Sequence, residues 1–278
     1  MPLSSMIPLL TKAQTGGYAV GQFNFHNIDG LLAIIRAAES KNSPVILGPI
    51  FLQPRAIMAM LRELAHDAQV PIAVTLDHGV SFAQALECIR AGYTDVMLDS
   101  SSLPFDDNVR ETRRVVEAAH AVGVGVEGEI GHVGMGEDYN DYSAVSALFT
   151  KPDEARRYVE QTGVDAVAVA VGTAHGRYKG KPKLDFERLS QISAAIETPL
   201  VLHGGSGVSD EDFREAIRRG IAKVNIYTHL ADAALETIRA ELERPDLKHY
   251  FQLQYATSQV MQEVVEHYID VFGSAQKA

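Results

Sequence analysis

The chain is expected to be an α/β protein, a (β/α)8 TIM barrel with additional C-terminal helices, and three features point there. Short apolar runs alternate eight times with stretches of helical spacing. Most of those runs are nearly continuous in apolar residues, the pattern of parallel strands covered on both faces. No long linker interrupts the series, and 278 residues lie within the range of one large barrel. Residues 1–278 are therefore read as a single domain.

Strands are expected at 19–25, 44–48, 72–76, 95–98, 123–130, 166–171, 200–203 and 223–227. Between them, Val109, Thr112, Val115, Val116 and Ala119 recur every three to four residues, as do Phe186, Leu189, Ile192 and Ile196, so these stripes pack outside the strands. Ser209 followed by Asp212 ahead of Phe213 resembles a capping box and starts a helix just after the loop 204–208. Residues 131–147, rich in Gly, Asp and Tyr, read as a long mobile loop able to act as a lid. After Leu230 come two helices, with apolar points at Leu235, Ile238, Leu242, Val260, Val264, Val265 and Tyr268. That is more helix than one barrel unit needs, and it either covers the barrel or builds a dimer contact.

Composition narrows the function classes. With 46% hydrophobic and 22% charged residues the chain matches ordinary globular usage, which argues against a disordered or disulfide-scaffold protein. No apolar run reaches the ~18–20 residues needed to span a bilayer. Net charge −11, without a segregated basic run, disfavours nucleic acid as a partner. Cys88 is alone and cannot form an internal disulfide, and the first residues lack the basic and long apolar regions of a secretory signal. A reducing cytoplasm is the expected location.

In a barrel the chemistry sits at the C-terminal strand ends, so position says more than residue type. Those ends carry Asp77 and His78, Asp99, Glu127 and Glu129, His175, His203, and Asn225. His78, His175 and His203 thus end three different strands on one face, and three imidazoles with an open position suit a catalytic zinc. Singly, each would read as a core or loop histidine, which is how the other seven are taken. His175 and His203 are each followed by glycine, in GTAHG and LHGGSG. Backbone N–H groups there can cradle a phosphate with little side-chain charge, although HGGSG alone reads equally as an ordinary strand-to-helix turn. Asp77 is either a general base or a carboxylate orienting a histidine. Glu137, on composition alone, is a solvated loop charge.

Taken together, GQFNF (21–25), SPVIL (43–47), LDHG (76–79), VMLDSS (96–101), VEGEIG (126–131), VAVGTAHGRYKGKPKLDF (169–186), PLVLHGGSG (199–207), KVNIYT (223–228) and FGSA (272–275) resemble the class II, zinc-dependent ketose-bisphosphate aldolase family over nearly the whole chain. The resemblance implies reversible retro-aldol cleavage of a ketose bisphosphate, such as fructose or tagatose 1,6-bisphosphate, to dihydroxyacetone phosphate and an aldehyde. It implies that His78, His175 and His203 bind zinc, that Asp77 handles the proton of the C4 hydroxyl, and that Glu137 in the lid moves the proton on the enediolate carbon. Gly176, Gly204, Ser206, Asn225 and Thr228 would hold the substrate and its C1 phosphate. Asp99 and Glu129 match positions that in some members hold a second metal. A monovalent cation, Na+ or K+, near the phosphate and a homodimer or homotetramer are further implied.

Three departures lie near the substrate: GPIFLQP (48–54) replaces a Ser- or Gly-rich loop, Met135 replaces a lid glycine, and Tyr227 and His229 stand where small or acidic residues are common. They open two alternatives, an aldolase for a ketose 1-phosphate without a second phosphate, and a non-catalytic sugar-phosphate binding protein on the same scaffold. A metal-free phosphate-binding isomerase is a further reading, which activity surviving chelators would mark.

Overall fold

The computed structural model describes residues 3–50, 52–136, 146, 148–178, 180 and 182–278. Among these, parallel strands β1 (Val20–Phe25), β2 (Val45–Pro49), β3 (Ile72–Gly79), β4 (Asp95–Leu98), β5 (Gly125–Ile130), β6 (Ala166–Val169), β7 (Leu200–Leu202) and β8 (Ile221–Ile226) close into a barrel in sequence order, β8 pairing back onto β1. The expected (β/α)8 architecture is thus observed, with strand ends matching or shifted by at most three residues.

A first helix, α1 (Met6–Gly16), precedes the barrel, and the outer layer consists of α2 (Ile28–Ser40), α3 (Pro54–Asp67), α4 (Phe82–Ala91), α5 (Phe105–His120), α6 (Pro152–Thr162), α7 (Phe186–Ala195), α8 (Asp210–Arg218), α9 (Thr228–Leu242) and α10 (Tyr250–Phe272). The 109–119 stripe is buried on α5 as its spacing requires, and Leu189 and Ile192 are buried on α7. Ser209 caps α8 by accepting from the Asp212 N–H. The tail falls out as α9, the helix of the eighth barrel unit, and α10, which buries Val265, Tyr268, Ile269 and Phe272 in the main core. It therefore covers the barrel wall. No described helix is long and apolar enough to cross a membrane.

Apolar burial is layered. A large cluster lies between strands and outer helices, while a second fills the lower barrel interior with Val20, Ile46, Ala73, Met97, Ala166, Ala168, Val201 and Ala222. α1 closes that second cluster with Met6, Leu9, Leu10 and Ala13. It belongs to no strand–helix unit. Its first turn is held by Asp95, which accepts from Ser5 Oγ at 2.7 Å, the Met6 N–H at 2.8 Å and Thr94 Oγ at 2.8 Å. Burial lifts the Asp95 carboxyl to about 6 despite these donors.

A folded-state value raised above the unfolded one stabilises the fold fully below about 4 and loses that contribution as pH rises through about 6. Asp95→Asn is expected to abolish this pH dependence and to cost about 1–3 kcal/mol by pairing its amide N–H with donors. In urea unfolding across this range, the gap between wild type and variant should therefore narrow as pH rises; a gap independent of pH would refute the account.

Candidate active site

The upper end of the barrel opens into a cavity of about 330 Å³ lined by Asn24, Ile50, Asp77, His78, Met135, His175, Gly176, His203 to Ser206, Asn225, Tyr227 and Thr228. That size suits a small ligand. Asp77 and His78 are sequence neighbours, and a regular strand would point them to opposite faces. β3 avoids this. Its register against β4 shifts between Leu76 and Gly79, and His78 takes a left-handed φ of 47°, an uncommon conformation for a side-chain-bearing residue. Both side chains consequently reach one cavity, and the strain sits at the place where function would use it.

His78, His175 and His203 offer ring nitrogens that lie within 4.8 Å of one another. His78 stands between the other two, with centroid separations of 4.6 Å to each. Its Nδ1 lies 2.9 Å from Asp99 Oδ2, and its Nε2 lies 2.8 Å from His203 Nδ1. The far nitrogen of His203, Nε2, lies 2.7 Å from Glu127 Oε1. His175 Nε2 is buried and has no hydrogen-bond partner among the described residues. An unpartnered buried nitrogen beside two facing imidazole nitrogens is a donor set that fits a borderline-soft divalent ion.

Electrostatics sort the three rings. Burial opposes charge on His78, but the hydrogen bond to Asp99 and the charges of Asp77 and Glu129 outweigh it and raise the ring to about 9. Burial and the neighbouring His78 charge lower His175 to about 4, and the same two causes push His203 well below its ordinary value. The cluster thus holds one proton charge, on the ring with the carboxylate partner. A metal would have to displace that proton.

Asp77 is gripped from both sides: Asn24 Nδ2 donates to Oδ2 at 2.8 Å and Asn225 Nδ2 to Oδ1 at 3.0 Å. Burial works to raise its carboxyl, yet the charges of His78, His203 and Lys223 and the Asn24 bond leave it below the ordinary value. It is a carboxylate at neutral pH.

Asp99 is held low against the burial cost by His78 and Ser101. Glu129 is pushed up to about 8, by burial first and then by the Asp99 charge; its Oε1 accepts from the Val133 N–H and its Oε2 has no partner among the described residues. His78, Asp99 and Glu129 form a second grouping with donor atoms within 4.8 Å.

Two glycine-bearing loops face the histidines. Gly204 has φ 66°, and a Cβ there would meet the Ala174 carbonyl oxygen at 2.4 Å, so only glycine permits this close approach. The Tyr178 hydroxyl ties the loops together, accepting from the Ala174 N–H at 2.6 Å and donating to the Gly204 carbonyl at 2.8 Å. The HGGSG turn lies against the cavity, with Gly204, Gly205 and Ser206 lining it just ahead of the helix expected after it. That helix, α8, is capped by Ser209, and the helix start that lines the cavity is Thr228 of α9. The His229 N–H donates to Ser206 Oγ at 3.3 Å, and the N-cap residue Tyr227 makes no capping bond of its own. Gly176, Gly204, Ser206, Asn225 and Thr228 all line the one cavity.

Glu137 lies outside the described residues, as does Phe51 of the departing loop. Its neighbours Gly134 and Gly136 are tied to His175, whose N–H bonds the Gly134 carbonyl at 2.8 Å and whose carbonyl accepts the Gly136 N–H at 2.7 Å. Of the other departures, Ile50, Met135 and Tyr227 line the cavity directly, while the His229 ring turns to the Tyr268 hydroxyl at 2.8 Å and does not line it. Residue patterns had singled out neither Asn24 nor Lys223. Both carried a readable signal: Asn24 shares a strand face with Gln22, and Lys223 shares one with Asn225 inside an otherwise apolar run.

Comparison with known proteins places the chain in a family. The family model described as "Fructose-bisphosphate aldolase class-II" matches residues 4–277. A fructose-bisphosphate aldolase of Staphylococcus aureus strain Mu50 is 41% identical over 288 residues, covering 100% of both chains. One from Thermus caldophilus is 41% identical over 301 residues and 98% of each. Among solved structures, the YdjI aldolase of Escherichia coli K12 superposes with a TM-score of 0.89 at 33% identity over 99% of each chain. A putative fructose-1,6-bisphosphate aldolase from Coccidioides immitis gives 0.85 at 33% identity, over 98% of this chain and 96% of its own. By sequence match, barrel topology and the residues gathered at its open end, the chain belongs to the class II fructose-bisphosphate aldolase family.

Proposed function

We propose that the chain, acting as one barrel domain, catalyses reversible aldol cleavage of a ketose bisphosphate, such as fructose or tagatose 1,6-bisphosphate, to dihydroxyacetone phosphate and an aldehyde. The observation that carries this reading is the convergence of His78, His175 and His203 beside the paired carboxylate of Asp77 in one cavity. The three histidines would hold zinc, which when bound acts as a Lewis acid for the negative charge developing on substrate oxygens.

Asp77 takes the proton from the C4 hydroxyl as the C3–C4 bond breaks and returns it in the condensation direction. Its lowered carboxyl favours the ionised form that this step needs, and Asn24 and Asn225 keep the carboxylate aimed. Glu137 serves the proton on the carbon of the enediolate. Gly176, Gly204, Ser206 and Thr228 seat the C1 phosphate through backbone and hydroxyl donors, with Asn225 contacting the substrate, so an acidic chain can bind an anion. Asp99 and Glu129 supply a second metal position together with His78. Na+ or K+ beside the phosphate, a homodimer or homotetramer, and a cytoplasmic setting in which the lone buried Cys88 stays reduced complete the proposal.

A second reading has its own support. Ile50, Met135 and Tyr227 line the cavity at the three departures, which favours a ketose 1-phosphate whose aldehyde half carries no phosphate. One experiment separates these readings: metal analysis coupled to cleavage assays on fructose and tagatose bisphosphates and the matching 1-phosphates, with and without chelator. Chelator-sensitive cleavage of bisphosphates is the expected result. Cleavage confined to 1-phosphates selects the second reading, and activity that survives metal removal rejects both.

A further inference from the structure

We propose that Lys223 is a positioning residue of this active site, setting both the base and one imidazole from beneath the cavity; this rests on the roles proposed above for Asp77 and His203. Lys223 lies on β8 and is 1% exposed. Its Nζ donates to Glu127 Oε2 at 2.7 Å and to Asn225 Oδ1 at 2.8 Å.

The first arm runs through Asn225. An ammonium has donors and no acceptor, so the amide must turn its oxygen toward Lys223 and its nitrogen away. That nitrogen then donates to Asp77 Oδ1 at 3.0 Å. Were the amide reversed, an oxygen would face the carboxylate and repel it. Lys223 therefore decides which way round the amide sits, and through it the aim of Asp77.

Glu127 carries the second arm. With Oε2 engaged by Lys223, Oε1 lies 2.7 Å from His203 Nε2. A carboxylate only accepts, so Nε2 carries the hydrogen and the lone pair of His203 is left on Nδ1, the nitrogen that faces His78. An imidazole in the other tautomer would offer no donor electrons toward the cluster. Packing does not call for this lysine. An aliphatic side chain would fill the barrel interior without the desolvation cost of a buried charge, and an ion pair so deeply buried is weak evidence for a stabilising role. What the lysine adds is direction.

The test is Lys223→Met, which keeps an unbranched side chain of similar length and removes the donors. Three results are expected: kcat falls at least about tenfold with little change in KM, zinc binding to the apo-protein in competition with a chromophoric chelator weakens about 10–100-fold, and the 15N spectrum of labelled apo-protein shows His203 losing its single Nε2–H tautomer. If the stranded Glu127 prevents folding, the double variant Lys223→Met/Glu127→Gln removes both charges together and is expected to fold while still turning over at least about tenfold slower. The zinc and tautomer measurements need no substrate, so they stand even if the assigned reaction is wrong. Zinc affinity and kcat within twofold of the parent in either variant, with only thermal stability altered, would overturn the proposal, as would failure of both variants to fold.

Discussion

Asp77→Ala is expected to lower turnover at least roughly a hundredfold while zinc remains bound, the low end of what a positioned acid–base group contributes. Each Asp77 oxygen receives one amide hydrogen bond, from Asn24 and from Asn225, which leaves lone pairs on both oxygens for a substrate hydroxyl in the cavity. The three histidines keep their own supports, Asp99 for His78, Glu127 for His203 and the Gly134 carbonyl for the His175 backbone. Metal analysis of the purified variant should therefore match the wild type. Two amide N–H groups lose an acceptor, a penalty of about 1–3 kcal/mol each when buried without one, so the variant is also expected to melt earlier. Turnover is to be compared well below that melting point. A variant that keeps most of its rate would remove Asp77 from the role of base, and one that loses zinc would recast it as support for the metal.

Much of this architecture can be read from the chain because parallel strands in a barrel are covered on both faces, so their apolar runs stand out against turn residues. The strand-end rule then collects His78, His175, His203, Asp99, Glu129 and Asn225 with no knowledge of contacts. Local exceptions are what period counting cannot see. Alternation along β3 places Asp77 and His78 on opposite faces; the register shift and the positive φ of His78 reverse that, and the glycine that would ordinarily mark such a turn stands one residue later, at Gly79. Lys223 is masked by the apolar residues around it in IAKVNI, since a charge inside a barrel makes sense only once Glu127, on a strand distant in sequence, is known to face it. α1 is visible in the spacing of Met6, Leu9, Leu10 and Ala13 after Ser5, but counting strand–helix units passes over it because it plugs the barrel floor and belongs to none. The HGGSG turn is legible as glycine-rich, whereas Thr228 at the start of α9 joins it only because the closed barrel brings β8 beside β7.

His175→Ala should separate metal binding from stability most sharply. Loss of a direct ligand should weaken zinc binding at least about a hundredfold, since even partners one shell further out are worth 10–100-fold. Aldol cleavage should fall with it at ordinary zinc concentrations. The apo-protein is expected to behave otherwise. His175 Nε2 is buried without a partner among the described residues, so truncating the ring forfeits packing but also removes an unsatisfied polar atom, and the two effects partly cancel to within about 1 kcal/mol near neutral pH. The sign of the pH dependence follows from the lowered value of about 4: a histidine harder to protonate when folded contributes stability present above its unfolded value near 6.5 and lost as pH falls through about 4. In wild-type apo-protein that loss is on the order of 3 kcal/mol. The alanine variant lacks it and should resist acid better between pH 6.5 and 4, a crossover that chemical denaturation at two pH values would detect. If the variant instead tracks wild type across that range, the ring is protonated in the folded protein and the proposed neutral donor is wrong; if zinc affinity is unchanged, His175 is no ligand.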